Sequence, residues 1–272
     1  MAIIWVGTGR FNAYIGPVQD YIDRVVAADV AAGNTLGLEV GVRDAYDVFI
    51  RDSINVGDLG TSGGVLSQAN SIIKAAPIMA GARTLAGALI PLVGTAPTRF
   101  GTEGGWNYNR KTGTAGNGTD NYLNSNRANN ADPQDNNHNA VHVQSAGLAG
   151  RSIMAAGGAA AGSNALGTGG GVRSRNSDVD TSISSPTGFF GASRAASSSF
   201  TIRAGGSNFA KTRASQTPVS DNLFVFADSS SGTPSGFSTG RYSFYSIGES
   251  LDLALLDARV TTLINAIAAA IP

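Results

Sequence analysis

The sequence predicts a mainly β, antiparallel sandwich with a helical module in front and a single helix behind, and three observations carry that prediction. After residue 77, short apolar or alternating runs recur, each bounded by Gly, Pro, Asn or Asp, the pattern of strands and their turns. Before residue 55 lie two segments with apolar residues at three-to-four spacing, and a longer one closes the chain. Hydrophobic residues make up 42% of the chain, enough for a core, while charged residues are 14%, against about 25% in ordinary globular domains.

The first element is Pro17 to Ala32. Pro17 stands at the first helical position, where its fixed φ suits the turn, and Val18, Tyr21, Ile22, Val25 and Val26 form one apolar face. Gly33-Asn34 stops it. A second helix is expected from about Leu38 to Ile54, with Val42, Ala45, Tyr46, Phe49 and Ile50 on one side and Gly41 weakening its start. Gly57 to Gly64 (GDLGTSGG) reads as a loop, because four Gly among eight residues lose too much backbone entropy for regular structure. Val65 to Lys74 reads as a short helix ended before Pro77.

Strands are expected at Ile78 to Leu85, Leu89 to Val93, Tyr122 to Leu123, Asn139 to Val143, Ser152 to Ala155, Gly188 to Ala192, Ser198 to Arg203, Leu223 to Ala227 and Arg241 to Ile247. Their spacing is that of a sandwich or jelly roll. Gly157 to Gly171 and Gly205-Gly206 read as long turns within it. The resulting division is 1–76 as a helical, anchoring module, 77–248 as the sandwich and 249–272 as a C-terminal amphipathic helix. In that helix Leu253, Leu256, Val260, Leu263 and Ile267 form a stripe with two readings, docking on the chain's own sheet or an oligomer seam.

Composition excludes several function classes. Without Cys there is no disulfide, thiolate metal site or thiol nucleophile. Lys+Arg and Asp+Glu balance at 19 each and the basic residues are scattered, so nucleic acid is not an expected partner. The start lacks the cationic and apolar regions of a signal peptide, and Ala75 to Val93 is broken by Pro77, Arg83 and Pro91, so neither secretion nor membrane insertion is expected.

Catalysis is not expected either. The three Glu, Glu39, Glu103 and Glu249, are far apart and form no glycosidase pair. His138 and His142 are the two His, and the strand predicted around them removes the helical spacing a zinc pair would use. The polar run Asn126 to Asn139 (NRANNADPQDNNHN) offers Asp132 and Asp135 as hard oxygen donors for Ca²⁺, and the same composition suits any tight loop. Trp106, Tyr108 and Tyr122, with Asn136 and Asn137, are the candidate sugar-binding residues; the competing reading is that the aromatics plug one end of the core. No organic cofactor is indicated.

Four stretches are also familiar as an ordered series: Ala80 to Thr98 (AGARTLAGALIPLVGTAPT), Tyr108 to Gly113 (YNRKTG), Gly116 to Pro133 (GNGTDNYLNSNRANNADP) and Tyr242 to Ile271 (YSFYSIGESLDLALLDARVTTLINAIAAAI). Together with Asp44 to Ile50 they resemble a family of uncharacterised phage and prophage structural proteins whose shared part is a concanavalin A-like lectin (laminin-G-like) jelly roll. The resemblance implies a virion protein assembled in the host cytoplasm, either a head decoration (cement) protein or part of a tail fibre. It implies major capsid or tail protein as partner, host surface glycan as a further partner, and no catalytic residues; a homotrimer is expected from the low charge and the C-terminal apolar stripe, threefold assembly being usual for phage surface components. The alternatives are a free-standing carbohydrate-binding receptor-recognition module and a glycan-degrading enzyme.

Overall fold

A computed structural model describes residues 14–272; Trp5 and the apolar run Ala2 to Val6 lie outside the described residues. Two helices lead the described chain. Helix α1 spans Gly16–Ala31 and buries Val18, Tyr21, Ile22 and Val25. Helix α2 spans Val40–Asn55 and buries Val42, Ala45, Tyr46, Phe49 and Ile50. Gly41 belongs there for a packing reason: a Cβ at that position would meet the Ala270 Cβ at 2.8 Å, so glycine lets the start of α2 approach the chain's last helix.

Residues 57–74 form no helix. Gly60–Ser62 and Val65–Ser67 make a two-stranded hairpin in which Gly63 and Gly64 form the turn, both at positive φ (58° and 84°). Such a turn follows the twist of the flanking strands and needs residues without a Cβ, so the glycine density marks a hairpin rather than a loop followed by a helix. Ile73–Pro77 is then a strand of the large sheet, and the expected module boundary at 76 falls inside it. The expected strand Ile78 to Leu85 is irregular apart from one bridge, Ile78 to Phe244, and gives way to a single helical turn, α3, at Leu85–Ala88. Buried Asp29 of α1 anchors that turn, accepting hydrogen bonds from the backbone N–H groups of Arg83 and Thr84 (both 2.8 Å) and from the Thr84 hydroxyl (2.7 Å).

Among the described residues the rest is built on two antiparallel sheets, one of nine strands and one of seven, with a small hairpin of Asp228–Ser230 and Thr233–Ser235 and a C-terminal helix. The main path of the larger runs Ser207–Thr212, Ser199–Ala204, Gly188–Ala196, Asn137–Ser145, Arg241–Gly248, Ile73–Pro77, Pro91–Val93, with Gly113–Ala115 and Asn107–Asn109 branching from Arg241–Gly248. The smaller runs Asp180–Thr181, Gly171–Ser174, Asn164–Gly167, Ser152–Ala156, Asn222–Val225, Tyr122–Ala128, Thr98–Phe100. The glycine tract 157–171 therefore contains a strand and leads into a hairpin, because its Ala-Leu core supplies the inward Leu166. Val141, Val143, Phe190, Ile202, Tyr242 and Tyr245 pack against Leu123, Leu166, Leu223 and Val225 to fill the space between the sheets.

The other face of the larger sheet carries the helices. Ala140, Phe189 and Phe244 share a second core with α1, α2 and α4 (Leu253–Ala270). Asp252 caps α4, its carboxylate accepting from the N–H groups of Ala254 and Leu255 at 2.8 and 3.2 Å. Leu253, Leu256, Val260, Leu263 and Ile267 are all buried in that core, so the stripe proposed as an oligomer seam is spent inside the chain. The helix is long and apolar enough to cross a membrane by composition alone, but its apolar side is the inner wall of this layer.

A bulge lets one strand serve both cores. In Arg241–Gly248, Tyr242 pairs with Val143 and Phe244 with His142, leaving Ser243 as an extra residue. Tyr242 and Tyr245 consequently face the sheet core while Phe244 faces the helices. Removing the α4 anchor by Leu256→Ala is expected to cost about 3 kcal/mol, seen as a lower urea midpoint with an unchanged slope.

Candidate functional site

The two histidines stand on the helix-facing side of Asn137–Ser145, in line with Ala140, and both are buried. His138 Nδ1 lies 2.5 Å from the carbonyl of Glu249, which can only accept, so Nδ1 carries the proton and Nε2 accepts from the Ser246 hydroxyl at 3.0 Å. His142 Nδ1 lies 2.8 Å from Ser243 Oγ. Burial pushes both imidazoles down to about 4, so they are neutral at ordinary pH and are held by serines of the neighbouring strand.

The polar run Asn126 to Asn139 is folded inward at one end of the sandwich. Arg127 grips Asp132 with two guanidinium nitrogens, Nε at 3.1 Å. Asp135 acts electrostatically on two further guanidinium groups, those of Arg175 and Arg194. Asp132 is thus already engaged by a cation of the chain, whereas Asp135 forms no ion pair among the described residues and keeps a buried Oδ1 without a hydrogen-bond partner. Among the described residues, no group of three His, Asp or Glu side chains converges as a metal site would. Arg175 donates to the carbonyls of Asn129 and Pro133, and Arg194 to those of Ser174 (2.9 Å), Arg213 (3.0 Å) and Ala196 (3.1 Å). Burial lowers the pKa of both; Arg175 falls to about 10.

The aromatic and amide candidates do not converge. Trp106 packs edge-on against Phe226, 5.5 Å between centroids, at the margin of the sheet core. Tyr108 turns to the helical side and donates its hydroxyl to the carbonyl of Ala82 at 2.7 Å. Asn136 is used by the chain itself: its side chain accepts from the Ser250 N–H (2.8 Å) and donates to Glu249 (3.1 Å). Asn137 is buried beside Asn164. Of the five, Tyr122 alone belongs to a surface arrangement.

That arrangement lies on the outer face of the smaller sheet. Leu123, Leu223 and Val225 point inward, so alternation turns Tyr122, Asn124, Asn222 and Phe224 outward. Phe100 is paired with Tyr122 in the neighbouring strand. The Phe100 and Tyr122 rings stack at 4.8 Å with planes 7° apart, Tyr122 and Phe224 lie 4.7 Å apart, and Phe237 closes the group 6.2 Å from Tyr122. Phe100 is 41% exposed. Partial burial between its neighbours raises the Tyr122 phenol above its ordinary pKa, so it is a neutral hydroxyl at ordinary pH.

Beside these rings is a cleft of about 450 Å³, walled by Asn124, Asp221, Asn222 and Ser229 together with Phe100, Tyr122 and Phe224. Flat apolar faces rimmed by a few fixed polar groups are the make-up of a small-molecule site. Tyr122 was legible in the sequence, whereas Phe100, Phe224 and Phe237 were not, because they lie far from it along the chain. The phase of Leu223-Phe224-Val225 was the available signal, since two inward residues force the one between them outward.

The architecture is an antiparallel β-sandwich with N-terminal helices and a C-terminal helix on one face. No protein-family model matches the chain, and no curated protein matches it. Solved structures of low likeness include Domain 4 of AbnA, a GH43 extracellular arabinanase from Geobacillus stearothermophilus, in complex with arabinotriose; identity is 13%, TM-score 0.40, covering 61% of this chain and 82% of that one. The CBM40 of the Ruminococcus gnavus IT-sialidase gives 12% identity and TM-score 0.31, over 46% and 82% of the two chains. The NanB sialidase from Streptococcus pneumoniae gives 9% identity and TM-score 0.32, over 46% of this chain and 24% of its own length, so the chain spans about a quarter of that protein. None of these likenesses assigns a ligand or an activity to this chain.

The buried histidines make the fold sensitive to acid. Their folded pKa of about 4 lies below the unfolded value of about 6.5. Between those values the unfolded chain binds protons that the folded chain refuses, so stability present at neutral pH is lost as pH falls through that window. Each histidine is expected to remove up to about 3 kcal/mol by pH 4. Urea midpoints between pH 7 and 4 test this, and the ring resonances should stay in their neutral positions down to about pH 5.

Proposed function

We propose that this protein is a non-catalytic adhesion component of a phage particle, with the helical layer turned to the particle and the open sheet face binding glycan. The observation that carries the binding role is the group of Phe100, Tyr122, Phe224 and Phe237, placed on the sheet face opposite the helices and bordered by amide, hydroxyl and carboxylate groups. Phe100 is exposed, Tyr122 and Phe237 are half-buried and Phe224 is buried, and an apolar cluster that reaches the surface within a polar rim marks an interaction surface. Sugar rings have the matching character, apolar across their C–H faces and polar at their edges.

Support for binding rather than hydrolysis comes from the carboxylates. A glycosidase flanks the scissile bond with two, whereas Asp221 is the one carboxylate among the described residues lining this cleft. Each glutamate is engaged elsewhere in an ion pair: Glu39 with Arg83 and Arg110, Glu103 with Arg99, and Glu249 with Lys74. The virion placement rests on the ordered motifs that resemble phage structural proteins.

On an array of neutral and acidic oligosaccharides the protein is expected to retain a subset. Tyr122→Ala should weaken that retention at least about tenfold, equivalent to about 1.4 kcal/mol, while Trp106→Phe leaves it unchanged. Retention unaltered by Tyr122→Ala would refute the site. For the particle, mass spectrometry of separated heads and tails should find the chain in one of them, and its absence from both would refute the virion role.

A further inference from the structure

We infer that the cleft beside Phe224 selects uncharged sugar rings and discriminates against sialylated and uronic-acid glycans, a reading that rests on the glycan-binding role proposed above. Among the described residues lining the cleft, Asp221 is the one ionisable side chain of either sign other than the Tyr122 phenol, and no Lys or Arg is among them. Its Oδ2 accepts from the Ser231 N–H at 2.9 Å, which fixes the carboxylate at the cleft wall. On the nearest strand Arg99 is committed to Glu103, 2.8 Å away. A ligand carboxylate entering here meets like charge without a cation to offset it, in partly desolvated surroundings where the repulsion is strengthened.

The remaining polar groups suit hydroxyls. Ser229 is fully buried, lines the cleft, and its Oγ has no partner among the described residues, an unmet hydrogen bond that a ligand can complete. Asn124 Oδ1 accepts from the Asn126 N–H at 2.9 Å, which assigns the oxygen inward to the chain and leaves Nδ2 as a donor. Asp221 can only accept and Asn124 Nδ2 can only donate, while Ser229 does either, so the wall presents the mixed set that a neutral polyol satisfies. An apolar partner would leave Ser229 and Asn124 unsatisfied, and an anion would add repulsion.

The test titrates wild-type protein, Asp221→Asn and Asp221→Lys with neutral oligosaccharides (maltohexaose, a mannan and a galactan fragment) and acidic ones (3′-sialyllactose, an oligogalacturonate) at low salt. Wild type should bind at least one neutral glycan and hold acidic ones at least about tenfold more weakly. Asp221→Asn keeps the acceptor for Ser231 and should narrow that gap; Asp221→Lys should close or invert it. Circular dichroism melting of each variant confirms folding. Acidic glycans bound by wild type as tightly as neutral ones, or a preference unmoved by Asp221→Lys, would overturn the selectivity while leaving glycan binding standing. Retention of neither class, with Tyr122→Ala indistinguishable from wild type, would overturn the binding role itself.

Discussion

A sheet covered on both faces has no side on which a polar side chain can simply meet water, and the nine-stranded sheet here is in that position. Its strand Asn137–Ser145 sends Val141 and Val143 towards the second sheet and Ala140 towards the helices. The polar residues left on the helical side are matched across strands, His138 with Ser246 and His142 with Ser243. At the end of the sandwich the same demand is met by Arg175 and Arg194, whose guanidinium groups take up backbone carbonyls that would otherwise be stranded.

That burial also sets which surface is available. Helices α1, α2 and α4 close one side of the larger sheet, and the smaller sheet closes the other. The outer face of the smaller sheet is the remaining broad β surface, and it carries the aromatic group and its cleft. A rigid sheet holds such side chains at fixed spacing, because alternation and register leave each little freedom. Attachment through the helical layer would leave this surface pointing away from whatever the protein is mounted on.

The fold was largely legible from local pattern, and the site was not. α1, α2 and α4 were found within a few residues because an apolar stripe repeats over many turns in each. Strands such as Gly188–Ala196 and Arg241–Gly248 were found because their apolar runs are long, although their ends were placed short. The hairpin of Gly60–Ser67 was missed because Val-Leu-Ser is too short to show a period, and the positive-φ glycine pair was the better guide. The inward folding of the run around Asp132 was not legible, because loop-like composition says nothing about an arginine that arrives from residue 175 to take up its backbone carbonyls. Phe100, Tyr122 and Phe224 meet only through strand register and Phe237 reaches them from a loop, neither of which composition and spacing encode.

Arg241–Gly248 occupies the middle of the large sheet, between Asn137–Ser145 and Ile73–Pro77, yet comes almost last in the chain. During synthesis the two flanking strands therefore emerge long before the one that joins them, and each waits with an unpaired border. Closure of the sheet is a late, long-range event, the kind that slows folding and prolongs exposure of sticky intermediates. A chain cut anywhere before residue 241 lacks the keystone of both cores, so a ribosome stalled there holds a nascent polypeptide that invites aggregation rather than a smaller working domain.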